Sequence, residues 1–347
     1  MTRRPELRRR GLLLAAGLIC TAVCAGCGEA HFPTPLGPPR PLAVAIDGPP
    51  SALYAPLYEA RANGAFRLGA LAVTIEPGSP ASALAAVESG SAAVAIISEP
   101  ALLTARDGGA RLVAIGALVR EPLDGIVSPA ARPVATVAAL AGRTLAVGAG
   151  ALAQAELATA LAGAHLAPTA VKQVPLGADA AATLLQKSVA ATLGGNWAIE
   201  AATLAQAHRP AHVLAIQQLG VPSFSGLVIV VRVDEAHYQG SLLRAFLQSL
   251  TRGERAAAAR PGATAATLAR ANPRLARGLE RLLLAAVLPL ASPGSPSRPF
   301  GYQDPYAWQA FGAWMARHGL IKHAADGGLA ITDEFLPGIG EATVSGD

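Results

Sequence analysis

Cysteine is missing from most of this chain, and that absence narrows the chemistry available to it. The three cysteines, Cys20, Cys24 and Cys27, all lie within the first 27 residues. A catalytic thiol, a structural disulfide and a thiolate metal site are therefore excluded from residues 28–347. Seven histidines are scattered without the short spacings of a zinc site, so we expect no metal and no cofactor.

Clustered positive charge is also missing from the body of the chain. The formal net charge is +5, but residues 1–26 contribute four of those charges through five arginines and one glutamate. The remainder is nearly neutral, which does not indicate nucleic-acid binding. The chain also contains no Gly-x-Ser-x-Gly elbow, no Walker loop and no dinucleotide fingerprint, so we predict no catalytic residues.

The N-terminus has the pattern of an export signal. Five arginines precede an uncharged stretch from Gly11 to Gly26, which is short for a membrane-spanning helix of roughly 20 apolar residues. Such a start predicts a signal peptide over residues 1–26. The step Cys24-Ala25-Gly26-Cys27 resembles a bacterial lipobox, which predicts Cys27 as the lipidated residue. Ordinary cleavage and an uncleaved anchor are the alternatives.

Proline and glycine dominate the segment that follows. Residues 27–41 read as an extended tether between the lipid and the folded body, since this composition resists helix and sheet. We therefore expect the protein to be exported and anchored to the outer face of the cytoplasmic membrane.

The body alternates strand and helix patterns, and the alternation restarts near Val134. An α/β fold with largely parallel sheets and two similar lobes is the expected result. Residues Ser241 to His318 are predicted to be mainly helical. The predicted strands are Leu42–Ile46, Leu71–Glu76, Ala92–Ile97, Leu112–Val119, Thr144–Val147, Val171–Val174, Ala190–Leu193, His212–Ile216 and Leu227–Val231.

Several motifs in the body match those of a known family. They are Tyr58–Phe66 with Leu71–Gly78, Val94–Glu99, Leu140–Arg143, Gly220–Pro222, Asp304–Trp308 with Trp314–Met315, Gly319–Ile321 and Thr332–Pro337. Together they resemble the thiamin-pyrimidine-precursor-binding family (thiamin pyrimidine synthase-like), whose members include solute-binding proteins of ABC importers. The resemblance covers most of residues 42–337.

The resemblance implies a two-lobed periplasmic-binding-protein type II fold, in which two parallel-rich sheets with flanking helices are joined by a two-stranded hinge. Lobe 1 would comprise residues 42–130 and 227–347, and lobe 2 residues 131–226. The chain would leave lobe 1 near Gly125–Pro133 and return near Leu227. The ligand would lie in the cleft between the lobes, and closure around it would present a shape that a permease recognises.

Aromatic residues are few (three Trp, five Tyr and seven Phe), and a flat heteroaromatic ligand needs aromatic faces and a few polar groups. The resemblance places ligand contacts at Trp197 and Glu200, the latter accepting hydrogen bonds from an aminopyrimidine, and we add Asn196 beside them. The alternatives are that Trp197 packs in the core and that Glu200 is a helix-start charge.

The family pattern at the first strand-to-helix turn is only partly present. Asp47 matches it, whereas Gly48 replaces a tryptophan, Ser51 an asparagine and Tyr54 a histidine. Asp47 and Tyr54 are predicted ligand contacts, with a helix cap and a surface anchor as the alternatives. The substitution at Gly48 removes a stacking platform.

Further candidates lie at the ends of other elements. Ser98 and Glu99 follow the third strand, where open α/β sheets bind ligands, and Ser98 could instead cap the next helix. Phe224 could close one side of the cleft or belong to the core. Asp124, near the crossover, is predicted to be structural.

These features predict a lipid-anchored, monomeric solute-binding component of an ABC importer. Its partners would be a permease and a small heterocycle such as a thiamin-precursor pyrimidine. The alternatives are an alkanesulfonate- or nitrate-like anion, a riboflavin-like heterocycle, or a lipoprotein that senses or scaffolds without transport. An anion site would need arginine or backbone amides at helix starts, whereas the candidates here are acidic and aromatic.

An enzyme is the remaining alternative, because a related fold makes the thiamin pyrimidine from pyridoxal phosphate and histidine. That chemistry needs a lysine for a Schiff base and, in that enzyme, a cysteine-rich segment. Lys172, Lys187 and Lys322 lie in no cleft-like motif. The sequence therefore predicts a binding protein rather than an enzyme.

Overall fold

The computed structural model describes residues 38–292, 295, 298–324 and 326–339, which belong to one compact unit. The predicted signal peptide, the predicted lipidation site Cys27 and most of the predicted tether lie outside the described residues. Within the described ranges, no helix combines the length and the apolar character needed to cross a membrane.

Strands and short helices alternate through the first two thirds of the described chain. The strands are β1 (Arg40–Ile46), β2 (Leu71–Pro77), β3 (Val94–Ile97), β4 (Leu112–Val119), β5 (Gly125–Pro129), β6 (Thr144–Val147), β7 (Lys172–Pro175), β8 (Ala191–Leu193), β9 (Ala211–Ala215) and β10 (Leu227–Arg232). All nine predicted strands are present, with ends that agree within two residues.

The helices cover both faces of these strands and make up most of the last third. They are α1 (Ala55–Ala62), α2 (Ala65–Leu68), α3 (Pro80–Ser89), α4 (Glu99–Asp107), α5 (Ala151–Gly163), α6 (Ala180–Leu185), α7 (Trp197–Gln206), α8 (Val233–Tyr238), α9 (Gly240–Ala259), α10 (Pro261–Ala271), α11 (Arg277–Ala291), α12 (Pro305–Arg317) and α13 (Asp326–Leu329). Short 3-10 helices lie at Ala52–Tyr54, Val137–Leu140, Pro168–Ala170 and Ile216–Leu219.

Two five-stranded sheets of the same design form the framework. The first has the order β2-β1-β3-β10-β4 and the second β7-β6-β8-β5-β9. In each, four strands run in the same direction, and the fourth in the order, β10 or β5, is antiparallel to both of its neighbours. The predicted two-lobed α/β architecture is therefore present, and both sheets are mixed.

Strand β5 was not predicted from the sequence. The resemblance placed residues 125–133 at the exit from lobe 1, whereas Gly125–Pro129 pairs with β8 and β9 in the second sheet. Its Asp-Gly start and Ser-Pro end read as turns, and only pairing with residues some 65 to 90 positions away makes it a strand. The first crossing between sheets is thus the short segment 120–124, and the return crossing is 216–226.

The core is divided by the first sheet. Side chains that alternate along β1, β3 and β10 belong to two different apolar clusters, as the period of two along a strand requires. One face is covered by α1, α9, α10 and α11, and the other by α3, α4 and α12. The second cluster continues into the second sheet through β6, β8 and α5, so the apolar core joins the two lobes.

Helices α1 and α9 approach so closely that Gly253 cannot carry a side chain. A Cβ there would collide with the carbonyl oxygen of Pro56 and lie 2.8 Å from the backbone nitrogen of Ala60. Both neighbours are backbone atoms of α1, so neither can move without shifting the helix.

We predict that Gly253→Ala lowers the free energy of unfolding by about 2 kcal/mol or more, because overpacking forces the helices apart. Chemical denaturation measures this change. Gly262→Ala in α10 is the matched control, since a Cβ there meets nothing within 4 Å. Its free energy of unfolding should stay the same or rise by up to about 1 kcal/mol, because alanine favours the helix more than glycine does. Equal effects of the two substitutions would contradict the packing described.

Candidate functional site

A cavity of about 550 Å³ lies where the two lobes meet. Its walls come from the turns after β1 and β8, the two crossing segments and one side of α11. A volume of this size suits a small organic ligand. The lining residues are Asp47, Gly48, Pro49, Ser51, Leu53, Tyr54, Leu123, Asp124, Gly194, Gly195, Asn196, Ile199, Gly226, Leu227, Leu275, Leu279, Glu280 and Leu283.

Asp47 and Tyr54 form a hydrogen-bonded pair on the first-lobe side of the cavity. The Tyr54 hydroxyl donates to Asp47 Oδ1 at 2.5 Å. Burial raises the pKa of Asp47, and this hydrogen bond opposes the increase. A Cβ on Gly48 would lie 2.9 Å from the Tyr54 hydroxyl oxygen. The glycine at 48 and the tyrosine at 54 therefore fit together, and no side chain at 48 covers the cavity.

Asn196 lies on the opposite wall, at the start of α7. Its Oδ1 accepts hydrogen bonds from the backbone nitrogens of Ala198 at 3.0 Å and Ile199 at 3.2 Å. The backbone nitrogen of Trp197 donates to the carbonyl oxygen of Leu123 at 2.9 Å. The amides that a helix start could offer to an anion are thus already bonded within the protein.

Glu200 lies directly behind this wall. Its side chain is 3% exposed, and Oε2 accepts a hydrogen bond from Thr192 Oγ1 at 2.6 Å. The other oxygen, Oε1, has no partner and faces Gly195, where a Cβ would collide with it. Burial raises the pKa of Glu200 to about 7. Gly195 is therefore the point at which this carboxylate comes nearest to the cavity.

The structure does not bring the other four predicted contacts to this cavity. Trp197 donates its indole N–H to the carbonyl oxygen of Pro122 at 3.1 Å, and Ser98 caps α4. Glu99 is fully buried and accepts a hydrogen bond from the backbone nitrogen of Ser225 at 2.6 Å, and burial raises its pKa to about 8. Phe224 stacks on Phe311 with ring centres 4.3 Å apart. The contacts of Trp197, Glu99 and Phe224 fasten the crossing segments to the lobes, whereas the Ser98 contact lies within lobe 1.

Sequence reasoning missed one whole wall of the cavity. Leu279 and Leu283 lie one turn apart on α11, and Leu275 lies just before the helix starts, a pattern that looks like an ordinary core face. Glu280 beside them accepts a hydrogen bond from the backbone nitrogen of Ala52 at 2.7 Å. Asp124, predicted to be structural, also lines the cavity. No local motif marks these residues, because the turn after β1 meets α11 from more than 220 positions away.

The cavity is acidic. Three carboxylates line it, on Asp47, Asp124 and Glu280, and the lining residues that the structure describes include no lysine and no arginine. The remaining lining is mostly aliphatic, with Tyr54 as its aromatic member. Across the described ranges, no group of three His, Cys, Asp or Glu side chains is arranged to hold a metal ion. The arrangement suits a ligand that donates hydrogen bonds or carries positive charge.

Comparison with known proteins gives a family match. A family model described as "NMT1/THI5 like" matches residues 52–264. A formylaminopyrimidine-binding protein of Halalkalibacterium halodurans is 24% identical over 298 residues, which cover 84% of this chain and 90% of that protein. The predicted resemblance to thiamin-pyrimidine-precursor-binding proteins is thereby confirmed.

Solved structures confirm the predicted fold. The periplasmic aliphatic sulphonate-binding protein SsuA of Escherichia coli superposes with a TM-score of 0.65 at 19% identity, covering 85% of this chain and 92% of that chain. The desulfurization enzyme DSZB superposes with a TM-score of 0.56 at 14% identity, covering 85% and 97%. The chain therefore has the periplasmic-binding-protein type II fold, which serves binding proteins and at least one enzyme.

The buried Glu200 carboxyl gives a pH-dependent stability. Because its pKa is raised from an ordinary 4.5 to about 7, the unfolded chain releases this proton at a lower pH than the folded chain. The group therefore has no effect well below its ordinary pKa and destabilises the fold as the pH rises toward 7. We expect the free energy of unfolding to fall, between about pH 5 and pH 8, by about 2 kcal/mol more than in Glu200→Gln.

Denaturant unfolding at a series of pH values measures that difference. Glu76→Gln, at an exposed position at the end of β2, is the control and should keep the wild-type pH dependence. If Glu200→Gln and the wild type have parallel profiles, the carboxyl is not buried as described.

Proposed function

The chain belongs to the NMT1/THI5-like family, and on that premise we propose that it is the solute-binding component of an ABC importer. Its ligand is an amine-bearing heterocycle, and a thiamin-precursor pyrimidine is the best candidate. The name of the Halalkalibacterium halodurans relative supports this ligand class.

The acidity of the cleft is the observation that carries the proposal. An aminopyrimidine offers amino hydrogens, which carboxylates accept well. A sulfonate or nitrate, the alternative suggested by structural neighbours such as SsuA, would instead need cations or free amides. The described cavity lining has neither lysine nor arginine, and the first amides of α7 are bonded to Asn196 and Leu123. These features favour the pyrimidine.

Ligand contacts are proposed for the predicted residues that reach the cleft. Asp47 accepts from the ligand's amino group, Tyr54 orients that carboxylate, and Asn196 presents the opposite wall. Glu200 lies behind Gly195, and its unpaired Oε1 accepts a hydrogen bond from the bound ligand. Leu275, Leu279 and Leu283 contact the ring face, in place of the aromatic platform that Gly48 removes.

Binding without catalysis is part of this proposal. The neighbour DSZB is an enzyme of the same fold, so the fold alone does not separate the two classes. None of the three lysines lines the cavity, and no cysteine follows Cys27. The family's Schiff-base chemistry therefore has no candidate nucleophile in the described cleft.

Export and anchoring complete the proposal. The arginine-rich start and the lipobox-like step at Cys27 support a signal peptide over residues 1–26 and a lipidated, tethered protein on the outer face of the cytoplasmic membrane. Lobe 1, built on the first sheet, and lobe 2, built on the second sheet and including β5, would close on the ligand and dock as a monomer on the permease.

Titration calorimetry of the purified protein tests the ligand class. We expect binding of the hydroxymethyl or aminomethyl form of the thiamin pyrimidine and no heat with an alkanesulfonate. Asp47→Asn should weaken pyrimidine binding roughly tenfold to a hundredfold, because it removes a charge-assisted hydrogen bond worth about 1.5–3 kcal/mol. Asparagine keeps an acceptor for the Tyr54 hydroxyl, so the fold should persist.

The control is Asp234→Asn, which removes a carboxylate from an exposed pair with Arg111 far from the cleft. It should leave the affinity unchanged. Binding of sulfonate but not of pyrimidine would overturn the proposed ligand class.

A further inference from the structure

A groove of about 620 Å³ lies on the second lobe, away from the ligand cleft. Arg132, Arg143 and Lys187 line it, and all three residues are exposed. We call it the basic groove, because its described lining residues include no aspartate and no glutamate. Within the described part of the chain, none of the three forms an ion pair. The protein therefore leaves these positive charges uncompensated.

The topology of the second sheet brings these residues together. Strands β6 and β8 run parallel and β5 is antiparallel to β8, so β5 ends at the edge of the sheet where β6 and β8 begin. Arg132 follows the end of β5, Arg143 directly precedes β6, and Lys187 lies in the turn before β8. The Ala190 amide donates to the Thr144 carbonyl oxygen at 2.8 Å, and both of these residues line the groove.

The ligand cleft lies at the other end of the same strands. Gly194 follows β8 and lines the cleft, whereas Lys187 precedes β8 and lines the basic groove. The two cavities have no lining residue in common. Binding in the groove can therefore be altered by substitutions that leave the lining of the cleft intact.

Charge is segregated along the second lobe. Residues 131–226 contain five lysines and arginines and three carboxylates. Two carboxylates, Glu156 and Glu200, are buried, and the third, Asp179, caps α6 after β7, at the cleft end of the sheet. The cationic residues all lie at the opposite end, near the starts of β6 to β9 or the end of β5: Arg132, Arg143, Lys172, Lys187 and Arg209. The potential at that end is therefore positive.

Helix ends account for only part of this charge. A cation stabilises the carbonyl end of a helix, and the Arg209 guanidinium donates to the Leu185 carbonyl oxygen at the end of α6, at 3.4 Å. Lys187 lies two residues beyond the same end. Arg132 and Arg143 have no such role, since no described residue accepts a hydrogen bond from either side chain. Their guanidinium groups remain available to an anion.

We propose that the basic groove binds phosphate groups, as a second site independent of the ligand cleft and of the function proposed for it. Arginine forms paired hydrogen bonds with phosphate oxygens, and lysine adds a compact charge. The volume of the groove and its three cationic residues suit a ligand with at least two negative charges, such as a diphosphate. The phosphate comes either from a free phosphorylated compound or from phospholipid headgroups.

Titration calorimetry of the purified full chain with inorganic diphosphate at low ionic strength tests the site. We expect binding that Arg143→Gln or Lys187→Gln weakens about tenfold, because each removes a charge-assisted contact. Added salt should weaken binding as well, by screening. Arg317→Gln is the control, since Arg317 is exposed on α12 outside the groove and the substitution changes the net charge equally. This variant should bind diphosphate like the wild type.

Cosedimentation with vesicles distinguishes the two sources of phosphate. The Cys27→Ser chain, which cannot carry the proposed lipid, is mixed with vesicles of phosphatidylcholine alone or of equal parts phosphatidylcholine and phosphatidylglycerol. A preference for the anionic vesicles that Arg143→Gln removes assigns the groove to lipid headgroups. Diphosphate binding without that preference assigns the groove to a free ligand.

The inference is overturned if neither diphosphate nor anionic vesicles bind in a manner that depends on Arg143. It is also overturned if Arg143→Gln and Arg317→Gln weaken binding equally, because the effect is then one of net charge alone. Pyrimidine binding in the cleft should be the same in all of these variants. A failure of pyrimidine binding would count against the proposed function and leave the groove unaffected.

Discussion

Unbalanced negative charge in a partly closed cleft is the constraint on which this site depends. Asp47, Asp124 and Glu280 share one cavity, and the described lining supplies no cation. The protein accommodates these carboxylates with hydrogen bonds: Tyr54 donates to Asp47, and the Ala52 amide donates to Glu280. Among the residues that the structure describes, none donates a hydrogen bond to the Asp124 side chain, so a ligand that brings hydrogens or positive charge would compensate it.

The crossing segments position these groups. The return crossing segment is bonded to the first crossing segment, because the Gly226 amide donates to the Glu121 carbonyl oxygen at 3.2 Å. The start of α7 is bonded to the first crossing segment as well, since the Trp197 indole N–H donates to the Pro122 carbonyl oxygen and its backbone N–H to that of Leu123. The wall built on Asn196 is therefore bonded directly to the first crossing segment. Relative movement of the lobes would change the distance between Asp47 and Asn196.

Sequence reasoning recovered the elements better than the site. Most of the predicted strands are apolar runs bounded by turn residues, whereas β5 follows Asp124, starts with Gly125 and ends in Ser-Pro, residues that are typical of turns. Asp47, Tyr54 and Asn196 were predicted from their positions after strands, where α/β folds place their sites, and all three line the cavity. Trp197 and Phe224 do not line this cavity, because aromatic side chains near a cleft satisfy packing as readily as stacking. The wall from α11 was missed, since its leucines have an ordinary core pattern.

A crystal structure with a bound aminopyrimidine tests the central claim most directly. We expect the ring between the α11 leucines and the Gly194–Asn196 turn, with its amino group within hydrogen-bond distance of Asp47 and its edge toward Gly195 and Glu200. A ligand found outside this cleft, or a cleft occupied by an anion held on backbone amides of α7, would contradict it.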